Sequence, residues 1–217
     1  MKRAVIFDLD GTLLDTIDDL GDSMNSVLRQ NGFPTHDQQA YKGFIGDGLR
    51  MLVVRSLPEQ KRQDTTVESC VGAMRSAYGA GWHVKTQLYD GIAELLQTLS
   101  QLGVTMSVLS NKPDDFTKKM VARFFRSGQF KCVKGAIDGL PRKPDPHLAL
   151  LVAEAQQIPE SETCFLGDSG TDMQTARRAG MHPIGALWGF RAEAELIENG
   201  AVAVIGHPLE LVDYIHS

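Results

Sequence analysis

No stretch of this chain approaches the ~18 consecutive apolar residues that a membrane-spanning helix needs. Only four apolar residues, Ala4 to Phe7, lie between Arg3 and Asp8, too few for the apolar segment of a secretion signal. A soluble protein of the cytoplasm, with no membrane partner, is expected. Basic runs are missing as well. The net charge is −5 with acidic and basic residues interspersed, so nothing resembles a phosphate-tracking surface and no nucleic-acid partner is expected. Cysteine is scarce: Cys70, Cys132 and Cys164 are odd in number, widely spaced and without a C-x-x-C pair, which excludes a disulfide framework or zinc site and leaves structural thiols. The six histidines form no H-x-x-x-H or H-E-x-x-H pattern and read as surface or capping residues. Repeats and low-complexity tracts are absent too. What is present is 42% hydrophobic content in 217 residues, enough for one sizeable core and an inserted subdomain.

The apolar pattern divides the chain in two. A strand at about 2–7 runs into an acidic turn, and helical periodicity follows at 17–30, with Leu20, Met24, Val27 and Leu28 on one face. From about 34 to 83 the periodicity stays helical, in Leu49, Leu52, Val53 and Leu57 and again in Val67, Val71, Met74 and Tyr78, with no strand alternation. Beyond Tyr89 strands and helices alternate: helix 92–102, strand 104–109, helix 116–125, strand 131–134, helix 146–156, strand 163–166, helix 172–179, strand 183–186, helix 192–199, strand 202–205 and helix 208–216. That rhythm predicts an α/β protein with a doubly wound parallel sheet, Rossmann-like, and a small all-helical insertion after the first strand. The predicted domains are a core of 1–15 and 84–217 and a helical cap of 16–83. The joints should fall near 15–17 and 81–89.

In a parallel sheet the carboxyl ends of the strands share one rim, where ligands bind. The polar residues placed there are Asp8 and Asp10, then Ser110 and Asn111, then Lys143, then Asp168 and Asp172. Asp8 and Asp10, two apart, can lean the same way off a strand end. Four carboxylates on one rim repel: two unit charges ~4 Å apart cost on the order of 4 kcal/mol at an effective dielectric near 20. Lys143 offsets one charge. A hard divalent cation with oxygen ligands, Mg²⁺ by preference where carboxylates and a phosphate complete the set, would offset the rest.

The motifs D-L-D-G-T at 8–12, S-N at 110–111, K-P at 143–144 and G-D-S-x-x-D at 167–172 resemble, in order, the four motifs of the haloacid dehalogenase superfamily. The resemblance implies Asp8 as nucleophile, forming an aspartyl-phosphate, and Asp10 as general acid and then base. It implies that Thr12, Ser110 and Asn111 cradle the phosphoryl oxygens and that Lys143 neutralises nucleophile and phosphate. Mg²⁺ would be held by Asp8, the backbone carbonyl of Asp10 and Asp168, with Asp172 bound directly or one step removed. Adjacent carboxylates suit the acid and nucleophile roles if their surroundings push their pKa values apart.

Within the superfamily, Asp10 argues for phosphoester over carbon–halogen chemistry, because a halide leaving group needs no proton, and Thr12 favours hydrolase over mutase. The helical insertion, F-I-G-D-G-L-R at 44–50, K-P-D-P at 143–146 and W-G-F-R at 188–191 are similar to the phosphoglycolate phosphatase branch. The expected substrate is a small phosphorylated metabolite, 2-phosphoglycolate first, with Arg50 or Arg55 available to its carboxylate. A sugar phosphomutase, a pyrophosphatase and a non-catalytic phosphate-binding protein are the alternatives; monomer and homodimer stay open. Asp18, Asp19 and Asp22 read as a charged helix face. Gly43, Gly46 and Gly48 lack the preceding strand of a dinucleotide fingerprint, and Trp188 reads as a core or interface aromatic.

Overall fold

The computed structural model describes residues 2–216. In chain order the elements are β1 (Ala4–Phe7), β2 (Leu14–Asp15), α1 (Ile17–Gln30), α2 (Gln38–Phe44), α3 (Leu49–Ser56), α4 (Asp64–Gly81) and β3 (Gln87–Leu88). There follow α5 (Ile92–Gln101), β4 (Thr105–Pro113), α6 (Asp114–Phe124), β5 (Cys132–Ala136), α7 (His147–Gln156), β6 (Thr163–Gly167), α8 (Gly170–Arg178), β7 (His182–Ala186), α9 (Glu193–Glu198), β8 (Ala203–Ile205) and α10 (Leu211–His216).

The chain divides into two compact units, one of residues 1–14 and 88–217 and one of residues 15–87. The crossings fall within the short strands β2 and β3, which pair with each other. In the larger unit six strands form one sheet in the order β5-β4-β1-β6-β7-β8, and β1 is parallel to both its neighbours. The chain builds outward from β1 through β4 to β5, then returns to lay β6 on the other side of β1. This reversal opens a crevice beyond the carboxyl ends of β1, β4 and β6.

β1 reads Ala-Val-Ile-Phe without alternation because helices cover both sheet faces, and all four residues are fully buried. Ile6, Leu109 and Phe165 of the sheet pack with Leu148, Ala149, Val152 and Ala153 of α7 and with Ala176 of α8. α5 buries Ile92, Leu95, Leu96 and Leu99 at helical spacing.

Two departures from the sequence expectation matter. β4 does not end at Leu109 but continues through Ser110, Asn111 and Lys112 to Pro113, with an irregularity in its pairing to β5 after Leu109. These polar residues are buried and still extended. α8 begins at Gly170, not Asp172. Ser169 is its N-cap in a reciprocal capping box with Asp172, so Asp168 stands one residue ahead of the cap.

The smaller unit is built from α1, α2, α3 and α4. α1 buries Ile17, Leu20, Met24, Val27 and Leu28, and its buried arc extends to Asp19 and Ser23. Asp19 is therefore not part of a solvated face. Its carboxylate accepts hydrogen bonds from Lys85 N (3.0 Å), Thr86 N (2.9 Å) and Thr86 Oγ1 (2.8 Å). Asp18 and Asp22 do face outward, accepting from Gln38 Nε2 and Lys85 Nζ.

Candidate active site

Every strand that ends in the crevice contributes a side chain there. From β1 comes Asp8, buried, followed by a turn in which Gly11 takes φ +88°, a left-handed conformation that favours glycine. The turn leaves Asp10 at the rim, bridged to Leu14. From β4 come Ser110, Asn111 and Lys112; from the loop before α7, Lys143; from β6 and the first turn of α8, Asp168 and Asp172.

Lys143 is the hub. Its Nζ lies 2.8 Å from Asp8 Oδ1 and 2.6 Å from Asp172 Oδ1, and donates to the Leu109 carbonyl at 3.2 Å. An ammonium has three donors, and here three acceptors face it. The Lys143 backbone is held in turn by Asn111, whose Nδ2 donates to the Lys143 carbonyl at 3.0 Å.

Asp8, Asp168 and Asp172 are all buried and each brings a carboxylate oxygen within 4.8 Å of the others. Asp8 is raised from 3.8 to about 7, chiefly by burial and further by the charges of Asp172 and Asp10, against the pull of Lys143. Asp168 is raised by burial and by the charges of Asp8 and Asp172, against the hydrogen bond from Phe190 N. Burial works to lower Lys143, but Asp172 and Asp8 outweigh it and hold it above the ordinary lysine range. Three buried carboxylates around one lysine thus leave excess negative charge. The donor set, all hard oxygens, fits a divalent cation such as Mg²⁺.

Within the cluster the carboxylates differ. Asp172 Oδ1 is taken by Lys143, and its Oδ2 accepts from Ser169 Oγ at 2.6 Å and Ser169 N at 3.1 Å. With both oxygens engaged, Asp172 is placed to orient Lys143. Gly167 lies so close that a Cβ there would overlap the Asp172 side chain. Asp10, expected to offer a cation its backbone carbonyl, keeps its carboxylate turned to a lysine. Both its oxygens lie against Lys112 Nζ, at 2.8 and 2.9 Å, so its backbone carbonyl is what it could offer a cation.

The residues expected to cradle a phosphoryl group are buried at the same rim, with present partners inside the protein. Thr12 Oγ1 donates to Asp168 Oδ1 at 3.2 Å, and Ser110 Oγ accepts from Lys112 N at 3.2 Å. Arg50 lies in the helical unit on α3, exposed, with its guanidinium on Asp64 at 2.8 Å and Glu68 at 3.0 Å of α4. Arg55 is bound by Asp47 and the Phe44 carbonyl.

Two features escaped the sequence reading. Lys112 directly follows the S-N motif, and the signal that could have revealed it is the period-two alternation that puts it on the side of Ser110. The second is the loop after β7. Trp188 Nε1 donates to the Thr12 carbonyl at 3.0 Å and Phe190 N to Asp168 Oδ2 at 2.8 Å. Between them, a Cβ on Gly189 would overlap Asp168 and the Gly11 carbonyl. Trp188, read from the sequence as a core or interface aromatic, thus ties its loop to the rim at the carboxyl end of β1.

A profile of haloacid dehalogenase-like hydrolases matches residues 5–186, from the first strand to the fifth strand of the sheet's chain order. The chain belongs to the haloacid dehalogenase-like hydrolase family. It is 31% identical over 217 residues to a phosphoglycolate phosphatase of Pseudomonas fluorescens (strain Pf0-1), covering 98% of this chain and 79% of that one. It is 29% identical to a phosphoglycolate phosphatase of Psychrobacter arcticus, covering 99% and 96%. A crystal structure from Lactobacillus delbrueckii subsp. bulgaricus, of a protein proposed to be a phosphoglycolate phosphatase, superposes with a TM-score of 0.92 at 30% identity over 99% of both chains. This membership and these relatives make the chain a phosphoric monoester hydrolase with the Rossmann-like fold of the family. Among the described residues no helix is long and apolar enough to cross a membrane.

Proposed function

We propose that the chain is a Mg²⁺-dependent phosphatase that hydrolyses a small phosphorylated metabolite through an aspartyl-phosphate on Asp8, with 2-phosphoglycolate the first candidate. The observation that carries this reading is Asp8 itself: a buried carboxylate at a strand end, paired with a buried lysine and crowded by two further carboxylates. Asp19, by contrast, is closed off by neutral donors. Asp8 instead depends on positive charge to stay ionised, and an ionised carboxylate is what attack on phosphorus requires.

The oxygen of Asp8 that does not face Lys143 attacks phosphorus, and the bond from phosphorus to the ester oxygen breaks. Asp10, in its protonated form, gives a proton to the departing alkoxide. Asp10 then removes a proton from water, which attacks the same phosphorus; the acyl-phosphate bond breaks, freeing Asp8 and inorganic phosphate. Lys143 neutralises Asp8 and the incoming phosphate, held on line by Asp172 and Asn111. Thr12, Ser110 and the amide of Asn111 turn toward the phosphoryl oxygens. Asp8, Asp168 and the Asp10 carbonyl would hold Mg²⁺, with Asp172 one step removed. The bound ion would offset the negative charge of nucleophile and phosphate, most of what phosphoryl transfer demands beyond positioning. The helical unit is read as the cap, which selects what the phosphate is attached to.

The candidate substrate comes from the relatives, whose names carry it. The test is phosphate release from a panel of small phosphoesters, with Mg²⁺ and with chelator, by the parent and by Asp8→Asn. Magnesium-dependent release lost in the variant supports the reading, and the best substrate names the branch. Release that survives in Asp8→Asn refutes the covalent route, and an isomerised sugar phosphate without free phosphate would make the protein a mutase.

A further inference from the structure

We propose that Lys112 is the positioning residue of the acid–base step, acting on the substrate only through Asp10; the inference rests on the role given to Asp10 above. The site contains two buried lysines, and they divide the two neighbouring aspartates between them. Lys143 serves Asp8 and Asp172, and Lys112 serves Asp10.

The Lys112–Asp10 pair is not a surface ion pair of convenience. Its side chains are 4% and 11% exposed, and the ammonium meets both carboxylate oxygens, at 2.8 and 2.9 Å. Burying two charges is costly unless the geometry repays it. The geometry here is anchored at the root of the lysine. Lys112 N donates to Ser110 Oγ at 3.2 Å, and its carbonyl accepts from Thr117 Oγ1 at 3.2 Å. Gly135 of β5 packs beneath that carbonyl so tightly that a Cβ would overlap it. The lysine therefore rises from a backbone pinned on three sides. On the other side, Asp10 rises from a turn set by Gly11 and the Asp10–Leu14 bridge.

A proton donor must come within ~2.6–3.2 Å of the leaving oxygen. A carboxylate on a rim turn, free to rotate, would meet that distance only part of the time. An ammonium against the carboxyl group confines it to a small arc; when Asp10 takes up a proton from solvent, Lys112 keeps its contact with the unprotonated oxygen and the O–H is left to face the ester oxygen. Lys112 then affects the rate only where the leaving group needs a proton. That dependence separates it from a lysine that binds phosphate or merely fills the rim.

The experiment compares kcat/KM for 2-phosphoglycolate, whose alkoxide is a poor leaving group, and for 4-nitrophenyl phosphate, whose phenolate leaves without help. The proteins are the parent, Lys112→Met, Lys112→Arg, Asp10→Asn and the Asp10→Asn/Lys112→Met double variant, each with Mg²⁺ and each checked by thermal unfolding. The double variant removes both charges, so it folds even where Lys112→Met alone is strained by an unpaired carboxylate. Expected are a loss ~10- to 100-fold greater on the alkyl than on the aryl ester for Lys112→Met, partial recovery in Lys112→Arg, and no added loss when Lys112→Met is combined with Asp10→Asn. Equal losses on both esters, or a further loss in the Asp10→Asn background, overturns the proposal and makes Lys112 a phosphate ligand or a structural residue. If Asp10→Asn itself falls equally on both esters, the acid role of Asp10 fails and this inference with it. If Asp10→Asn discriminates and Lys112→Met does not, the inference about Lys112 alone fails.

Discussion

Asp8 and Asp19 are the same residue type, buried to a similar depth at 7% and 4% exposure, one in each unit of the chain. Their surroundings are opposite. Asp19 accepts from two backbone amides and a hydroxyl, all neutral donors, at Lys85 and Thr86. Asp8 meets one ammonium and two further carboxylates. On the function proposed for this chain, the carboxylate that serves the fold is closed by neutral donors, whereas the one assigned to chemistry depends on cations. The contrast separates stability from activity residue by residue.

The sharpest break between the two is mutational. Asp8→Asn is expected to lower phosphate release at least ~10³-fold, as removal of a covalent nucleophile does, while the unfolding temperature holds or rises because a repulsive charge is gone. Asp19→Ala should do the reverse. It strands the Lys85 and Thr86 donors and costs about 2–4 kcal/mol of stability, with turnover per folded molecule within a few-fold of the parent. Thermal unfolding and phosphate release on both variants check this, and an Asp19→Ala protein that kept its stability but lost turnover would erase the distinction.

Next in size is Gly189→Ala. A methyl group there meets Asp168 and the backbone of Gly11 rather than a flexible chain end, so the carboxylate must move. Supports of this kind are typically worth ~10- to 100-fold in metal affinity or activity. The half-saturating Mg²⁺ concentration should rise by about that factor, and an unchanged Mg²⁺ dependence would show that the loop does not hold Asp168 in place.

A smaller effect follows from pH. Asp8 is raised from 3.8 to about 7 by burial, and Asp168 is raised as well. Between pH ~4 and ~7 the folded protein therefore holds more protons at these groups than the unfolded chain does. The Asp8 contribution makes metal-free stability fall as pH rises through that window, and Asp168 acts in the same direction. A cation favours the ionised forms, so the Mg²⁺-induced gain in unfolding temperature should grow from pH 5 to pH 8, reaching a few degrees. Parallel unfolding curves in chelator and in Mg²⁺ read this directly, and a gain independent of pH would mean that these carboxylates do not bind the ion.

The same contrast explains what was readable from sequence. Side chains behind apolar runs announce themselves, so Asp8, Ser110, Lys143, Asp168 and Asp172 could be placed on one rim, and α1 matched its expected span of 17–30. Lys112 was not legible because Ser-Asn-Lys-Pro reads as a turn, whereas here the polar residues stay extended and buried in β4. The clasp on Asp168 was hidden for another reason. It works through the Phe190 amide and the missing Cβ of Gly189, and neither has a side-chain signature. Asp19 was misplaced because three acids at 18, 19 and 22 suggest a solvated face, while tertiary donors from Lys85 and Thr86 decide otherwise.

The smallest effect concerns the helical unit's own charges. Arg50 was expected to meet a substrate carboxylate, yet its guanidinium rests on Asp64 and Glu68, with all three side chains well exposed. Exposed pairs of this kind contribute little, being screened and entropically costly to hold. Arg50→Ala should therefore shift the unfolding temperature by no more than about 2 °C. Its ratio of 2-phosphoglycolate to 4-nitrophenyl phosphate turnover should stay within about threefold of the parent, since the loss of a weak exposed pair changes a rate by little more. Because both esters place the same phosphoryl group before Asp8, the ratio cancels any damage common to both and reports on groups that tell the two esters apart; Arg50, on the helical unit, has no part in the acid–base step, so a change in the ratio in Arg50→Ala points to the carboxylate. A tenfold fall in that ratio would mean that Arg50 leaves its acidic partners for the substrate, and the line between structural charges in one unit and working charges in the other would have to be redrawn.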